Sequence, residues 1–218
     1  MKRNQLIALS LLLIVAWSCK NELKESPVDT QNELQKAEFS IIIHGGAGSI
    51  RRENMSEERE AIYKQKLAEA IQVGYNILKD GGSSLDAVQK TINILEDSPL
   101  FNAGKGAVLT YEGINEHDAS IMDGKTLNAG ASAGTKTVKN PINLARAVMD
   151  NSPHVMLSGN GAQVFAEAQG LEIVEPNYFL TEKKLKSLKY VQSLKLNKKA
   201  SFYNADLRDS KFGTVGCA

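Results

Sequence analysis

The chain has 218 residues, enough for one domain of ordinary size with its own hydrophobic core. Hydrophobic residues make up 42% and charged residues 23%, values that exclude an intrinsically disordered chain and are typical of a globular protein. The formal net charge of +1 excludes a strong overall attraction to nucleic acid or to an anionic surface.

The first 38 residues are predicted to lie outside the folded domain. A basic start, an apolar run over residues 6–15 and small residues before Cys19 are typical of a secretory signal, and the run is too short for a comfortable transmembrane helix. Cys19 also resembles the lipidated cysteine of bacterial lipoproteins. Residues 1–19 therefore predict export, either to the periplasm or to a lipid anchor, and the polar residues 20–38 predict a tether.

The folded domain is predicted to begin at Phe39 and to continue to residue 180. An apolar, β-branched run over residues 39–43 ends at a glycine-rich stretch, which predicts a buried strand followed by a loop. Ser56 and Ser83 are each followed by an acidic first turn and an apolar face, so both predict the N-cap of a helix.

The middle of the chain predicts a small sheet followed by two more helices. Three strand-like runs separated by Gly-containing turns predict an antiparallel meander over residues 108–111, 117–122 and 127–138. Asn140–Pro141 predicts the start of a helix, and another is predicted over residues 162–168. Helices combined with an antiparallel sheet indicate the α+β class.

The segment 181–213 is rich in lysine and is predicted to form a solvated linker. It lacks the aromatic platform and the groove motifs of a nucleic-acid-binding surface, so we expect no nucleic-acid partner. Residues 214–218 follow as a turn that runs into a strand.

A serine-hydrolase motif is present but is disfavoured by its surroundings. Residues 130–134 fit G-x-S-x-G around Ser132, yet the following residues are strand-like where a nucleophile elbow needs a helix. His154 is the only histidine after Ser132, and it lies almost beside Asp150, which does not favour a triad. None of the histidines sits in a motif with metal-ligand spacing.

The tetrapeptide Gly213-Thr214-Val215-Gly216 is nearly uninformative alone, and it indicates a function only together with the segments that precede it. In chain order these are His44-Gly45-Gly46-Ala47-Gly48, Leu95-Glu96-Asp97-Ser98-Pro99-Leu100-Phe101-Asn102-Ala103-Gly104, Asp118, Met122-Asp123-Gly124, Asn140-Pro141 and Ser152-Pro153-His154-Val155-Met156. In this order they closely resemble the plant-type asparaginase/isoaspartyl peptidase family. The resemblance runs from Ile41 to the end of the chain and leaves only the lysine-rich region unmatched.

The resemblance implies a precursor that cleaves itself between Gly213 and Thr214. The product would be a threonine N-terminal-nucleophile hydrolase with a four-layer α-β-β-α sandwich, acting on L-asparagine or on β-aspartyl dipeptides. A threonine hydroxyl needs a base, and a free α-amine with a pKa of roughly 7.7–8.0 can serve as one. Cleavage would turn the amide nitrogen of Thr214 into that amine.

Further site residues are implied by the resemblance alone. Asn102 corresponds to a residue that positions the nucleophile or the substrate. A structural sodium ion, with no cofactor for catalysis, is implied on the backbone carbonyls of Leu95, Glu96, Ser98, Phe101, Ala103 and Lys105. His44 is expected to pack under the site, and Cys217 to be a core residue.

The resemblance also implies that this chain is truncated. Members of the family continue far beyond their threonine and assemble as (αβ)2, whereas here the second chain would consist of residues 214–218. We therefore expect the chain alone to be inactive. Two alternatives are a non-catalytic exported lipoprotein with the same fold, and a glycosylasparaginase-type hydrolase, against which Gly213 argues. The sequence does not choose between asparagine and β-aspartyl dipeptides.

Overall fold

Two capped helices start the part of the chain that the structure describes. The computed structural model describes residues 38–46, 55–197 and 214–218. Helix α1 spans Glu57–Lys79 and α2 spans Ser84–Glu96. The hydroxyl of Ser56 accepts the Arg59 N–H at 3.3 Å, and Ser83 caps α2 in the same way. Both predicted N-caps are therefore confirmed.

Strand β1, Ile43–His44, pairs antiparallel with β5, Gly216–Cys217, which is distant in the sequence. Two backbone hydrogen bonds between Ile42 and Ala218, at 2.8 and 3.0 Å, extend this pairing. The prediction of a strand is confirmed here, but the prediction that it is buried is wrong. Ile42 is 70% exposed because only the opposite side of the strand, which includes Ile41 beside Gly74 of α1, faces the helices.

The second sheet contains β2, His117–Met122, β3, Ala129–Thr135, and β4, Met156–Ser158. Strands β2 and β3 are antiparallel, as predicted, with a register irregularity between His117 and Ala119. Strand β4 instead lies parallel to β3 after a helical crossover, so the sheet is not a simple meander. The expected first strand, residues 108–111, contributes only an isolated bridge between Leu109 and Asn115.

Helix α3, Pro141–Asn151, covers one face of this sheet. The approach is close, since a side chain at Gly130 of β3 would collide with the backbone of α3. Helix α4, Gly159–Ala168, adds to the same layer. On the other face Asp118 and Met122 are exposed. The described residues therefore form a mixed helix-and-sheet fold with helices on one side of the sheet.

Helix α5, Glu182–Asn197, occupies much of the segment that the sequence predicted to be a solvated linker. Leu185, Leu188 and Val191 recur on one partly buried side of the helix. Gln192 Nε2 donates a hydrogen bond to the carbonyl of Tyr111 at 2.8 Å. This apolar spacing is the signal of an amphipathic helix. The many lysines on the exposed side obscured it. Among the described helices, none is long and apolar enough to cross a bilayer.

Candidate active site

A cavity of about 760 Å3 lies between the C-terminal strand and the helix-covered sheet. Thr214 lines it, directly ahead of β5 in the chain. Thr214 is exposed, whereas Val215 and Cys217 are half-buried. The pairing of β5 with β1 therefore fixes the backbone next to Thr214 and leaves its side chain accessible. Gly213, the residue before the predicted cleavage site, lies outside the described residues.

Asn102 lines the same cavity as Thr214. Its side-chain Oδ1 accepts the backbone N–H of Val108 at 2.8 Å, which fixes the orientation of the amide. The two residues are far apart in the sequence, and the fold brings them to one space. The predicted nucleophile and the predicted positioning residue therefore both line this cavity.

The loop that carries Asn102 is wound tightly around two glycines. The carbonyl of Glu96 faces Gly104, which has a φ of 47°, and the carbonyls of Phe101 and Pro99 face Gly106. In each case a Cβ atom would collide with the carbonyl oxygen, so only glycine leaves this space open.

Backbone carbonyls are the kind of oxygen ligand that a hard cation such as the implied sodium ion takes. Leu95 O accepts the Ser98 N–H at 3.3 Å, and Ala103 O accepts the Gly106 N–H at 3.0 Å. Lys105 directs its ammonium group over the ring of Tyr178, 4.9 Å from the centroid. Its backbone remains part of the same loop.

Gly104→Ala is expected to lower the free energy of unfolding by about 2 kcal/mol, since the methyl group meets the Glu96 backbone and the positive φ becomes strained. Urea denaturation of the purified chain measures this change. Gly124→Ala is the matched control because a Cβ there has nothing within 4 Å. Equal effects of the two substitutions would contradict this account of the loop.

Glu96 has a structural role that the sequence analysis missed. Its side chain is only 3% exposed, and Oε1 accepts the N–H of Ile142 in the first turn of α3 at 3.0 Å. Burial raises the pKa of this carboxyl to about 8, opposed in part by that hydrogen bond. The predicted cap Asn140 makes no side-chain cap bond and instead donates to Asp97 at 3.1 Å. The bond between Glu96 and Ile142 therefore connects the end of α2, where the Asn102 loop begins, to the first turn of α3.

His117 and Ser132 lie in the wall of the cavity and are buried. The imidazole packs on the ring of Phe179, with the centroids 4.3 Å apart. Burial lowers the pKa of His117 to about 4, and the charge of Asp118 opposes this only weakly. Ser132 is an interior residue of β3 with more strand after it, so the rejection of a nucleophile elbow is confirmed.

The remaining candidate residues, Asp118, Asp123 and Cys217, make local structural contacts. Asp118 accepts the Gly134 N–H at 2.8 Å, and Asp123 accepts the Thr126 hydroxyl at 2.6 Å, so both belong to local networks. Burial raises the pKa of the Cys217 thiol, which disfavours a reactive thiolate. Within the described residues, no group of three or more His, Cys, Asp or Glu side chains is placed to bind a metal ion. Cys19 lies outside the described residues.

The fold and this cavity define a mixed helix-and-sheet protein with a threonine at the start of a strand. The family profile described as asparaginase matches residues 37–218. The chain therefore belongs to the asparaginase family that includes isoaspartyl peptidases.

Three curated relatives illustrate this similarity. The chain is 45% identical to an isoaspartyl peptidase of Escherichia coli over 81% of its length and 55% of the relative. It is 43% identical to an isoaspartyl peptidase/L-asparaginase of Mus musculus, over 81% of the chain and 51% of the relative. It is 50% identical to a plant-type L-asparaginase of Thermococcus kodakarensis, over 67% of the chain and 45% of the relative. The chain thus spans about half the length of these relatives.

Proposed function

We propose that this chain is the N-terminal part of an amidohydrolase precursor that acts on L-asparagine, on β-aspartyl dipeptides, or on both. The observation that carries the proposal is the presence of Thr214 and Asn102 in one cavity. The relatives named isoaspartyl peptidase and L-asparaginase support this class of reaction. These relatives give no support to the alternative of a glycosylasparaginase-type enzyme.

In the proposed mechanism, the Gly213–Thr214 peptide bond breaks first. The new α-amine of Thr214 takes the proton of its hydroxyl, and Oγ attacks the side-chain carbonyl carbon of the aspartyl group. The leaving amine departs as ammonia or as an amino acid once it receives that proton. Water then hydrolyses the ester and releases aspartate. Asn102, oriented by the Val108 N–H, would position the nucleophile or the substrate.

The loop of residues 95–106 is proposed to hold one structural sodium ion through its backbone carbonyls. The ion would contribute rigidity to the loop that carries Asn102 and would take no part in bond making. The Glu96 carbonyl beside Gly104 and the Phe101 carbonyl beside Gly106 offer backbone oxygens of the kind that a hard cation takes, which supports this role.

The complete enzyme is proposed to be a four-layer α-β-β-α sandwich assembled as (αβ)2, in which a second sheet covers the exposed face of β2 and β3. Apolar side chains on that side support this arrangement, including Met122 at 56% and Met156 at 54% exposure.

We propose that residues 1–19 direct export and that Cys19 is the lipid-anchored residue. In a bacterial host, wild-type protein is expected in the membrane fraction and Cys19→Ser in the soluble fraction, as followed by immunoblotting. Cys217→Ser is the matched control and should fractionate like the wild type. Soluble wild-type protein would contradict the anchor.

The function is tested on a protein that extends past Ala218 to the length of the relatives. Denaturing gels should show two chains, with Thr214 as the first residue of the smaller one by N-terminal sequencing. Ammonia release from asparagine and aspartate release from β-aspartyl dipeptides then measure the two activities side by side. One uncleaved chain without either activity would favour the non-catalytic alternative.

A further inference from the structure

Among the described residues, three buried polar side chains in the cavity wall, those of Glu96, His117 and Ser132, lack a hydrogen-bond partner for one atom each. His117 Nε2 and Ser132 Oγ are both fully enclosed and are unpaired within the part of the chain that the structure describes. The side chains are 4% and 2% exposed, and both residues line the cavity. Folded proteins satisfy the large majority of such atoms with protein groups or with ordered water.

The sheet register makes these two residues neighbours. His117 lies opposite Thr135 and Ala119 lies opposite Ser132, so His117 and Ser132 are diagonal partners on the same buried face of β2 and β3. The Cα atoms of diagonal partners are about 7–8 Å apart across a sheet. One water that makes two hydrogen bonds spans up to about 6 Å between its partner atoms, a separation that two side chains on the same face can meet.

The contact of the His117 ring with Phe179 restricts the orientation of the imidazole. The backbone at His117 is held separately, because its carbonyl accepts the Thr135 hydroxyl at 3.3 Å. The lowered pKa of His117 keeps the ring neutral at physiological pH. A neutral imidazole and a hydroxyl do not favour a charged ligand, and the described residues offer no cluster for a metal ion.

We propose that His117 Nε2 and Ser132 Oγ together bind one ordered water molecule in the wall of the cavity. Water suits this pair because it donates and accepts at once, whichever nitrogen of His117 carries the proton. The site goes beyond the catalytic proposal and does not depend on it, because it concerns only the folding of this chain.

A double-mutant cycle on the 218-residue chain tests the bridge. Ser132→Ala is expected to raise the unfolding equilibrium constant about fivefold, because the water loses one of its two anchors. In a His117→Phe background the same substitution should change that constant less than twofold. Ser120→Ala is the matched control, since Ser120 lies on the exposed face of the same strand as His117. Its effect should be the same in both backgrounds.

A crystal structure of the wild-type chain provides a direct test that needs no variant to fold. A water peak within about 3.2 Å of both His117 Nε2 and Ser132 Oγ would support the site. A direct hydrogen bond between the two side chains would overturn it. So would equal effects of Ser132→Ala in the two backgrounds.

Discussion

Thr214→Ala, placed in a protein that extends to the length of the relatives, is expected to remain one chain on a denaturing gel and to release no ammonia from asparagine. The alanine removes the hydroxyl that would attack both the preceding peptide bond and the substrate, and no other group replaces it. Activity should fall by at least about 10³-fold, as expected for the loss of a covalent nucleophile.

Two further variants make this test specific. Thr214→Ser keeps a hydroxyl at the same position, so it should still split into two chains and retain measurable activity. Ser132→Ala removes a hydroxyl from the same cavity and should still split. An alanine variant at position 214 that is cleaved normally or still hydrolyses asparagine would eliminate Thr214 as the nucleophile.

The stability of the folded chain is expected to fall by about 3 kcal/mol between neutral and strongly acidic pH because of His117 alone. The folded pKa of about 4 lies below the ordinary value of 6.5, so the unfolded chain binds a proton that the folded chain rejects. Stability from this residue is fully present above pH 6.5 and is lost as the pH falls through 4.

Urea denaturation of the 218-residue chain at a series of pH values measures this loss. His117→Phe should flatten the dependence between pH 6.5 and 4, since a ring that still packs on Phe179 no longer titrates. His154→Gln is the matched histidine substitution, because His154 is exposed and lies outside the cavity wall. An unchanged slope in His117→Phe would mean that other groups cause the acid sensitivity.

Local signals in the sequence were sufficient for the helices and for part of the sheet. Ser56 and Ser83 predicted their caps correctly, because an N-cap depends on the few residues around it. Asn140–Pro141 predicted the start of α3 correctly, since Asn140 occupies the N-cap position and Pro141 begins the helix. The side chain of Asn140 makes no cap bond, however, and the bond to the first turn of α3 comes from Glu96, which is distant in the sequence. The parallel placement of β4 also depends on a crossover that short-range patterns do not encode.

The candidate site could be predicted from the sequence mainly through the order of its motifs. No local pattern relates Thr214 to Asn102, and only the fold brings both to one cavity. The polar pair His117 and Ser132 was not predicted as a unit. His117 carries no motif, and Ser132 was visible only within a motif for a different enzyme class. Its burial in the sheet fits the interpretation of Ser132 as a packed interior residue, but its placement on the same face as His117 required the register of β2 and β3.

The pairing of β1 with β5 joins two strands that are far apart in the sequence. A contact between such distant segments carries a high loop-closure entropy, so it is expected to form late in folding. The backbone beside Thr214 therefore takes its native geometry only when the intervening helices and the second sheet are largely in place. The proposed cleavage at the Gly213–Thr214 bond would then occur only after folding, and a misfolded copy would remain an uncleaved, inactive precursor.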